Sequence, residues 1–191
     1  MRLLVLGGSF NPVHIGHLVL AEEVRAEFGY DLTLLVPSLR PPHKGLAEDP
    51  GAEHRLAMLE LAVGEDPACG IERCEIERGG TSYTIDTLNQ LSERYRIDGK
   101  PGLILGDDLV PGFPGWRKPE ELAATADIIC AHRGSALELA FAFPHRYAHN
   151  SIIQVSSSLI RSRIAGGGAF RRLLAPAVYS YILDRGLYGL R

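Results

Sequence analysis

The sequence predicts an α/β protein built on an open parallel β-sheet that is flanked by helices. Two observations support this fold class. Short apolar, strand-like runs recur along the 191 residues and alternate with segments whose apolar residues have helical spacing. In addition, a glycine pair closes the first apolar run, directly before the first helical segment. Parallel strands need a crossover between them, which is usually a helix, so the alternation favours a parallel sheet.

The strands and helices follow from these patterns in chain order. Short runs rich in aliphatic residues predict four strands, over 3–6, 32–36, 103–105 and 128–131. Helical apolar spacing predicts six helices, over 17–28, 53–63, 84–95, 119–124, 157–165 and 176–185. Glycines 166–168 are expected to end the fifth helix. The stretches 37–51 and 134–151 show neither pattern, so we expect them to be the most mobile loops.

Composition predicts a single domain over residues 1–191. The chain is 46% hydrophobic and 23% charged, which is ordinary for a globular domain with a sizeable core. A net charge of −3 gives no general basic surface for nucleic acid. Three cysteines without a CxxC pair, and no long apolar run, indicate no disulfide framework, signal peptide or membrane span. We therefore expect a cytoplasmic protein without a nucleic-acid or membrane partner.

The segment GGSFNPVHIGH, residues 7–17, has the features of a phosphate site. Gly7 and Gly8 permit a tight turn and a close ligand approach, and the free N–H groups of a helix start favour anions. The three-residue spacing of His14 and His17 puts both imidazoles on one face of the first turn, where they can hydrogen-bond phosphate oxygens and, if protonated, add positive charge. The same residues are also compatible with an ordinary strand-to-helix turn, two surface histidines, or two metal ligands that lack a third.

A second phosphate-binding pattern lies near the end of the chain, in VSSSLIRSRI, residues 155–164. Its serines can cap a helix, which gathers hydroxyls and free N–H groups at the positive helix end. Arg161 follows one turn later and can bind phosphate with its planar guanidinium, although a serine cap and a surface arginine would look the same.

Together these motifs resemble the nucleotidyltransferase superfamily, whose (H/T)xGH signature is spelled here His14-Ile15-Gly16-His17 and whose ISSTxIR motif matches residues 155–161. The resemblance implies the Rossmann-like nucleotidyltransferase fold. It implies charge stabilisation during catalysis by His14, His17 and Arg161. It also implies ATP contacts from the residues of three loops: Gly7, Gly8, Ser9, Phe10, Gly16, Gly106, Asp108, Ser156, Ser157 and Ser158. At the end of the third strand, Asp108 is favoured over Asp107 for nucleotide contact.

Three further segments resemble bacterial nicotinate-mononucleotide adenylyltransferases: PSLRPPHK at 37–44, TSYTIDTL at 81–88 and GDDLVPGFPGWRKPEEL at 106–122. The chain's ending, YILDRGLY, is similar as well. In that family, Trp116 would stack on the pyridine ring, and Tyr83 and Thr84 would bind its carboxylate. Lys44 and Arg133, each just past a strand, are candidates for the substrate phosphate. Each of these residues could instead be a loop anchor, a helix cap or a solvated charge.

The implied reaction is attack of the nicotinate mononucleotide phosphate on the α-phosphorus of ATP, which forms deamido-NAD and pyrophosphate without a covalent enzyme intermediate. ATP and nicotinate mononucleotide are then the partners, and Mg²⁺ is held mostly by phosphate oxygens and water. We expect no metal site made by the protein alone, and a monomer or small homo-oligomer. Two departures from the family pattern are Asn11 in place of an aspartate and Ser158 in place of a threonine.

Three other interpretations stay open at the level of sequence. A pantetheine-phosphate or other small-acceptor nucleotidyltransferase would share both ATP motifs, but should lack the three acceptor segments. A class I aminoacyl-tRNA synthetase would need a much longer chain. A nucleotide sensor without catalysis would typically have lost His14, His17 or Arg161.

Overall fold

The computed structural model describes residues 1–41, 48–134 and 138–190 and confirms the α/β fold. Its strands form a six-stranded sheet in the order β3-β2-β1-β4-β5-β6, and every pair of neighbouring strands is parallel. The strands are β1 (Leu3–Gly8), β2 (Leu32–Pro37), β3 (Cys69–Ile71), β4 (Gly102–Gly106), β5 (Asp127–Ala131) and β6 (His145–Tyr147). The order reverses between β1 and β4, and the crevice at such a reversal is where open α/β sheets bind ligands.

The four predicted strands are present, but two others were missed. β3 and β6 are edge strands of three residues each, too short to show a period, and β6 lies inside the stretch 134–151 that was expected to be loop. Gly7 and Gly8 pair with Val36 and Pro37, so they extend β1. The expected glycine turn is therefore wrong. The chain turns afterwards, at Phe10, whose φ of 46° is left-handed.

All six predicted helices are present, with bounds shifted by at most two residues. The helices are α1 (Ile15–Phe28), α2 (Ala52–Val63), α3 (Cys74–Arg78), α4 (Thr84–Arg94), α5 (Pro119–Thr125), α6 (Ser157–Ala165) and α7 (Pro176–Asp184). The five-residue α3 was not predicted, because it spans little more than one helical turn. A 3-10 helix, Asp107–Gly115, follows β4 and contains two prolines.

Two hydrophobic clusters cover the two faces of the sheet. Alternate β1 residues point to opposite sides, so Leu4 joins one cluster with α1, α2, α6 and α7, while Leu3 joins the other with α4, α5 and the 3-10 helix. Strands buried on both faces explain the unbroken apolar runs in the sequence. The three cysteines form no disulfide. Within the described ranges, no helix has both the length and the apolar character needed to cross a membrane.

Candidate active site

A cleft of about 570 Å³ opens at the carboxyl ends of β1, β4 and β5. Its volume lies within the usual range for small-molecule sites. The cleft brings together six of the predicted residues from four separate parts of the chain: His14, Gly16, His17, Asp108, Arg133 and Ser156. The other predicted residues of the ATP motifs, which do not line the cleft, are Gly7, Gly8, Ser9, Phe10, Gly106, Ser157, Ser158 and Arg161.

The two histidines stack at the start of α1. Their ring centroids are 3.7 Å apart with an angle of 25° between the planes, and Phe10 packs edge-on against His17 at 4.9 Å. His17 Nδ1 accepts the backbone N–H of His14 at 3.2 Å. A neutral imidazole that accepts at Nδ1 carries its proton on Nε2, so His17 keeps one donor for a ligand.

Burial and charge make both histidines neutral in the ligand-free protein. The pKa of His14 is lowered to about 4, first by burial and then by the positive charge of Arg133. The pKa of His17 is lowered well below its usual value by burial, by His14 and by Arg133. The prediction of added positive charge applied to protonated imidazoles, and these lowered pKa values favour the neutral form of both rings at neutral pH. The cleft's fixed positive charge comes from Arg133.

Gly16 is required by close packing between α1 and the segment before α6. A Cβ atom at position 16 would lie 2.8 Å from Val155 Cγ1 and 3.2 Å from His14 Nδ1. Gly8 is similarly restricted, since a Cβ there would lie 3.1 Å from the Phe10 ring. Gly7 is exposed and has open space beside it. The glycines thus leave room around the rings of Phe10 and His14.

The start of α6 is tied to the loop before α1. Ser156 caps α6 by accepting the Leu159 N–H at 3.1 Å, and Ser157 Oγ donates to Pro12 O at 2.9 Å. Arg161 donates to Asn11 O at 2.7 Å and pairs with Glu48 at 3.3 Å. In the ligand-free protein, Arg161 therefore holds the loop, and its side chain is only 11% exposed.

The carboxyl ends of β4 and β5 supply an acidic and a basic group at the edge of the cleft. Asp107 is buried and accepts the Arg133 backbone N–H at 3.1 Å, whereas Asp108 is exposed and pairs with the Arg133 guanidinium at 3.0 Å. A Cβ on Gly106 would lie 2.5 Å from Asp108 and 2.8 Å from Arg133. Both aspartates line the cleft, and Asp108 has the more exposed side chain, at 52% against 10% for Asp107.

The residues expected to bind the pyridine lie on the other face of the sheet, outside this cleft. Tyr83 caps the start of α4, and the guanidinium of Arg117 lies 4.8 Å from the centre of its ring. Trp116, the neighbour of Arg117, is half-buried and packs 5.2 Å from Phe113. Thr84 begins α4 and is also half-buried. Lys44 lies outside the described residues.

The cleft holds few ligands for a metal ion. No group of three or more His, Cys, Asp or Glu side chains in the described part of the chain is placed to hold one. Asp107 and Asp108 are the carboxylates that line the cleft, and only the Asp108 side chain is mostly accessible to solvent. This donor set fits an ion that arrives with phosphate oxygens already bound to it.

Comparison with known proteins agrees with the geometry. Residues 5–163 match the cytidylyltransferase-like family. Proteins named "probable nicotinate-nucleotide adenylyltransferase" from Borrelia garinii subsp. bavariensis and Borreliella afzelii are 39% and 40% identical over 98% of the chain, covering 95% and 97% of those proteins. The chain belongs to the nicotinate-nucleotide adenylyltransferase family. Plasmodium falciparum nicotinic acid mononucleotide adenylyltransferase, solved with APC, has the same fold with a TM-score of 0.80 at 17% identity, over 100% of this chain and 98% of that one.

The site also contains residues that sequence reasoning missed. His132 and Asn150 line the cleft, and Asn150 forms two hydrogen bonds of 2.9 Å with the His132 backbone. His132 stacks on Tyr147 of β6, with ring centroids 5.2 Å apart. The adenylyltransferase motifs do not include these positions, and a lone asparagine in a long loop carries no local signal. Recognising β6 would have placed them at the sheet's edge.

Proposed function

We propose that the chain transfers the AMP moiety of ATP to nicotinate mononucleotide, giving nicotinate adenine dinucleotide and pyrophosphate. The observation that carries this proposal is the cleft in which His14, His17 and the start of α6 converge, in a chain that matches nicotinate-nucleotide adenylyltransferases over 98% of its length. Neutral imidazoles, helix N–H groups and a guanidinium are suited to phosphate oxygens.

The reaction needs alignment and charge stabilisation. A phosphate oxygen of nicotinate mononucleotide forms a bond to the α-phosphorus, while the bond to the bridging oxygen breaks and pyrophosphate leaves. The attacking phosphate is already anionic, so no general base is required. We assign His17 Nε2–H as a donor to the ATP phosphates, with His14 beside it. Arg161 would turn from Glu48 towards phosphate, and Arg133 would contribute charge at the cleft.

The ATP contacts proposed for the loops rest on their position around the cleft. The backbone at Gly7, Gly8, Ser9 and Gly16 would approach the phosphates, and Ser156, Ser157 and Ser158 would add hydroxyls and N–H groups at the positive end of α6. Phe10 acts through its packing on His17, since its side chain is fully buried. Gly106 leaves space for the Asp108 side chain. The Asp108 carboxylate would accept hydrogen bonds from hydroxyl groups of the nucleotide.

Mg²⁺ is proposed as the companion of ATP. Phosphate oxygens and water would hold the ion, with Asp108 as the accessible carboxylate. When bound, it would neutralise charge on the phosphates during the transfer. The residues of this chain would then supply orientation and hydrogen-bond donors.

The nicotinate would bind at the start of α4. N–H groups of Tyr83 and Thr84 at this helix start favour a carboxylate over an amide, and Trp116 offers a ring for stacking. Lys44 is proposed for the mononucleotide phosphate from the sequence alone. We further propose one domain, a monomer or small homo-oligomer, a cytoplasmic location, and no nucleic-acid partner.

The test is pyrophosphate release from ATP and Mg²⁺ with three acceptors in parallel: nicotinate mononucleotide, nicotinamide mononucleotide and phosphopantetheine. We expect release with the nicotinate acceptor, and a fall in kcat of about 10²–10³-fold in His17→Ala, because a phosphate donor is lost. His149→Ala is the matched control, since this histidine is 93% exposed. Pyrophosphate release with phosphopantetheine alone, or a lack of release with all three acceptors, would contradict the proposal.

A further inference from the structure

Arg55, in α2, is completely buried although it carries a permanent charge. Its partners all come from outside its helix. Nε donates to Asp49 Oδ1 at 3.0 Å, and Nη1 donates to the carbonyl oxygens of Ser9 at 2.9 Å and Ser38 at 2.7 Å. A charge is buried in this way only when its partners are held in good geometry. The mechanism described above makes no use of this arginine.

The two carbonyl groups belong to the loops that follow neighbouring strands. Ser9 begins the loop after β1, which leads to the two histidines, and Ser38 begins the loop after β2. The loops also contact each other directly, because the Ser38 N–H donates to Gly8 O at 2.9 Å. One guanidinium nitrogen is thus shared between both loops. Because the guanidinium is planar and rigid, it fixes the distance between the two carbonyl oxygens.

The second loop continues towards the proposed nicotinate site. The Leu39 N–H donates to Ser82 Oγ at 2.9 Å, and the Ser82 N–H donates to Arg40 O at 2.9 Å. Ser82 is buried and directly precedes Tyr83, the cap of α4. A series of hydrogen bonds therefore runs from the loop between β1 and α1, residues 9–14, through Arg55 to the start of α4. We call this first loop the ATP loop.

We propose that Arg55 is a positioning residue that sets the spacing between the ATP loop and the acceptor side of the active site. This inference rests on the proposed function. The transfer requires the acceptor phosphate oxygen and the α-phosphorus to be in line, and a misplacement of about 1 Å can lower a rate by about 10²-fold. In this proposal, ATP alone contacts the side of the ATP loop, and nicotinate mononucleotide alone contacts the acceptor side. Loss of Arg55 should therefore impair turnover without impairing the separate binding of either substrate.

The experiment compares wild type with Arg55→Lys, which keeps the charge but replaces the planar guanidinium, held at Nε by Asp49, with a single ammonium group that can rotate freely. We expect kcat to fall by about 10–100-fold, while the Kd values for ATP and for nicotinate mononucleotide, each titrated alone by calorimetry, change by less than about two-fold. Arg94→Lys is the matched control. Arg94 also pairs with a buried carboxylate, Glu72 at 2.7 Å, but it is the last residue of α4 and its ion pairs are with Glu72 and Glu77 and not with either loop, so the kcat of this variant should stay at the wild-type value.

A second variant covers the case in which Arg55→Lys does not fold. Asp49→Asn weakens the hold on Arg55 by removing the negative charge but keeps an amide oxygen that can accept from Arg55 Nε, and because the Asp49 side chain is 23% exposed, we expect this variant to fold. This variant should also show a lower kcat with nearly unchanged Kd values for ATP and for nicotinate mononucleotide. Wild-type kcat in the folded variant, or a Kd loss that accounts for the whole fall in turnover, would overturn the proposal. Absence of turnover in the wild type would instead count against the proposed function.

Discussion

At the scale of single residues, the protonation state of the two histidines is fixed by their surroundings. The His14 backbone N–H donates a hydrogen bond to His17 Nδ1. Burial, together with the positive charge of Arg133, lowers the pKa of both imidazole rings. Both ring nitrogens of His14 are buried and have no hydrogen-bond partner in the structure as described. The rings therefore have hydrogen-bonding capacity that a ligand can use.

This lowered pKa makes the stability of the protein depend on pH. In the unfolded chain His14 has the ordinary pKa of 6.5, and in the folded protein its pKa is about 4. Between these values the unfolded state binds the additional proton, so the free energy of unfolding falls as pH is lowered from 6.5 towards 4. The loss should be on the order of 3 kcal/mol.

Urea denaturation at pH 7.5 and pH 5 tests this dependence. His14→Gln should lose less stability between the two pH values than wild type, whereas the exposed control His149→Gln should lose as much as wild type. An unchanged pH dependence in His14→Gln would contradict the assignment.

Residues at the site differ in how far the sequence could predict them. The spacing of His14 and His17 and the serines before α6 are local patterns, and the structure places both at one cleft. Arg55 has no such signal. It looks like any polar residue of an amphipathic helix, and its burial follows only from the contacts of α2 with two distant loops. Long-range contacts of this kind are not visible in a sequence window.

At the scale of elements, α1 and the segment that enters α6 act as one unit. Val155 packs on Gly16, Ser157 binds Pro12 O, and Arg161 binds Asn11 O. The two hydrogen bonds join residues that are 145 and 150 positions apart in sequence. The start of each helix is therefore positioned by the other.

Gly16→Ala tests this unit. Alanine favours a helix, but the new Cβ would lie 2.8 Å from Val155 Cγ1. We expect a net loss of about 1–2 kcal/mol in unfolding free energy and a lower kcat, because His14 would be displaced. In the double variant with Val155→Ala, part of both losses should be recovered. Strictly additive effects in the double-mutant cycle would show that the contact does not matter.

Strands could be predicted from the sequence where their side chains are buried on both faces of the sheet. The four strands found this way have five or six residues, most of them buried. β6, with the sequence His-Arg-Tyr, is an edge strand held by pairing with β5 and by aromatic packing on His132. Its formation depends on tertiary context, which outweighs local preference in short strands.

At the scale of the whole molecule, the sheet order places the cleft beside the reversal between β1 and β4, while the net charge of −3 leaves the surface without a general attraction for phosphates. Near the site, Arg133 lines the cleft and pairs with Asp108, and Arg161 pairs with Glu48. We therefore expect nucleotide recognition to be local, and a metal ion to enter with the nucleotide.

Chelation distinguishes an ion carried by ATP from one resident in the protein. We expect EDTA to abolish pyrophosphate release and to leave the Tm of the ligand-free protein unchanged, because the described residues include no cluster of metal ligands. Mg²⁺ added with a non-hydrolysable ATP analogue should raise the Tm. If EDTA lowered the Tm of the ligand-free protein, a resident metal would be indicated.

The contacts between the loop before α1 and the segment that enters α6 also affect how the protein folds during its synthesis. The ribosome makes the His14–His17 turn well before Val155, Ser157 and Arg161, because the contacting residues are as much as 150 positions apart. Until they emerge, the early motif lacks the groups that hold it in place. We therefore expect that ATP can stabilise the protein only after the segment that enters α6 has left the ribosome.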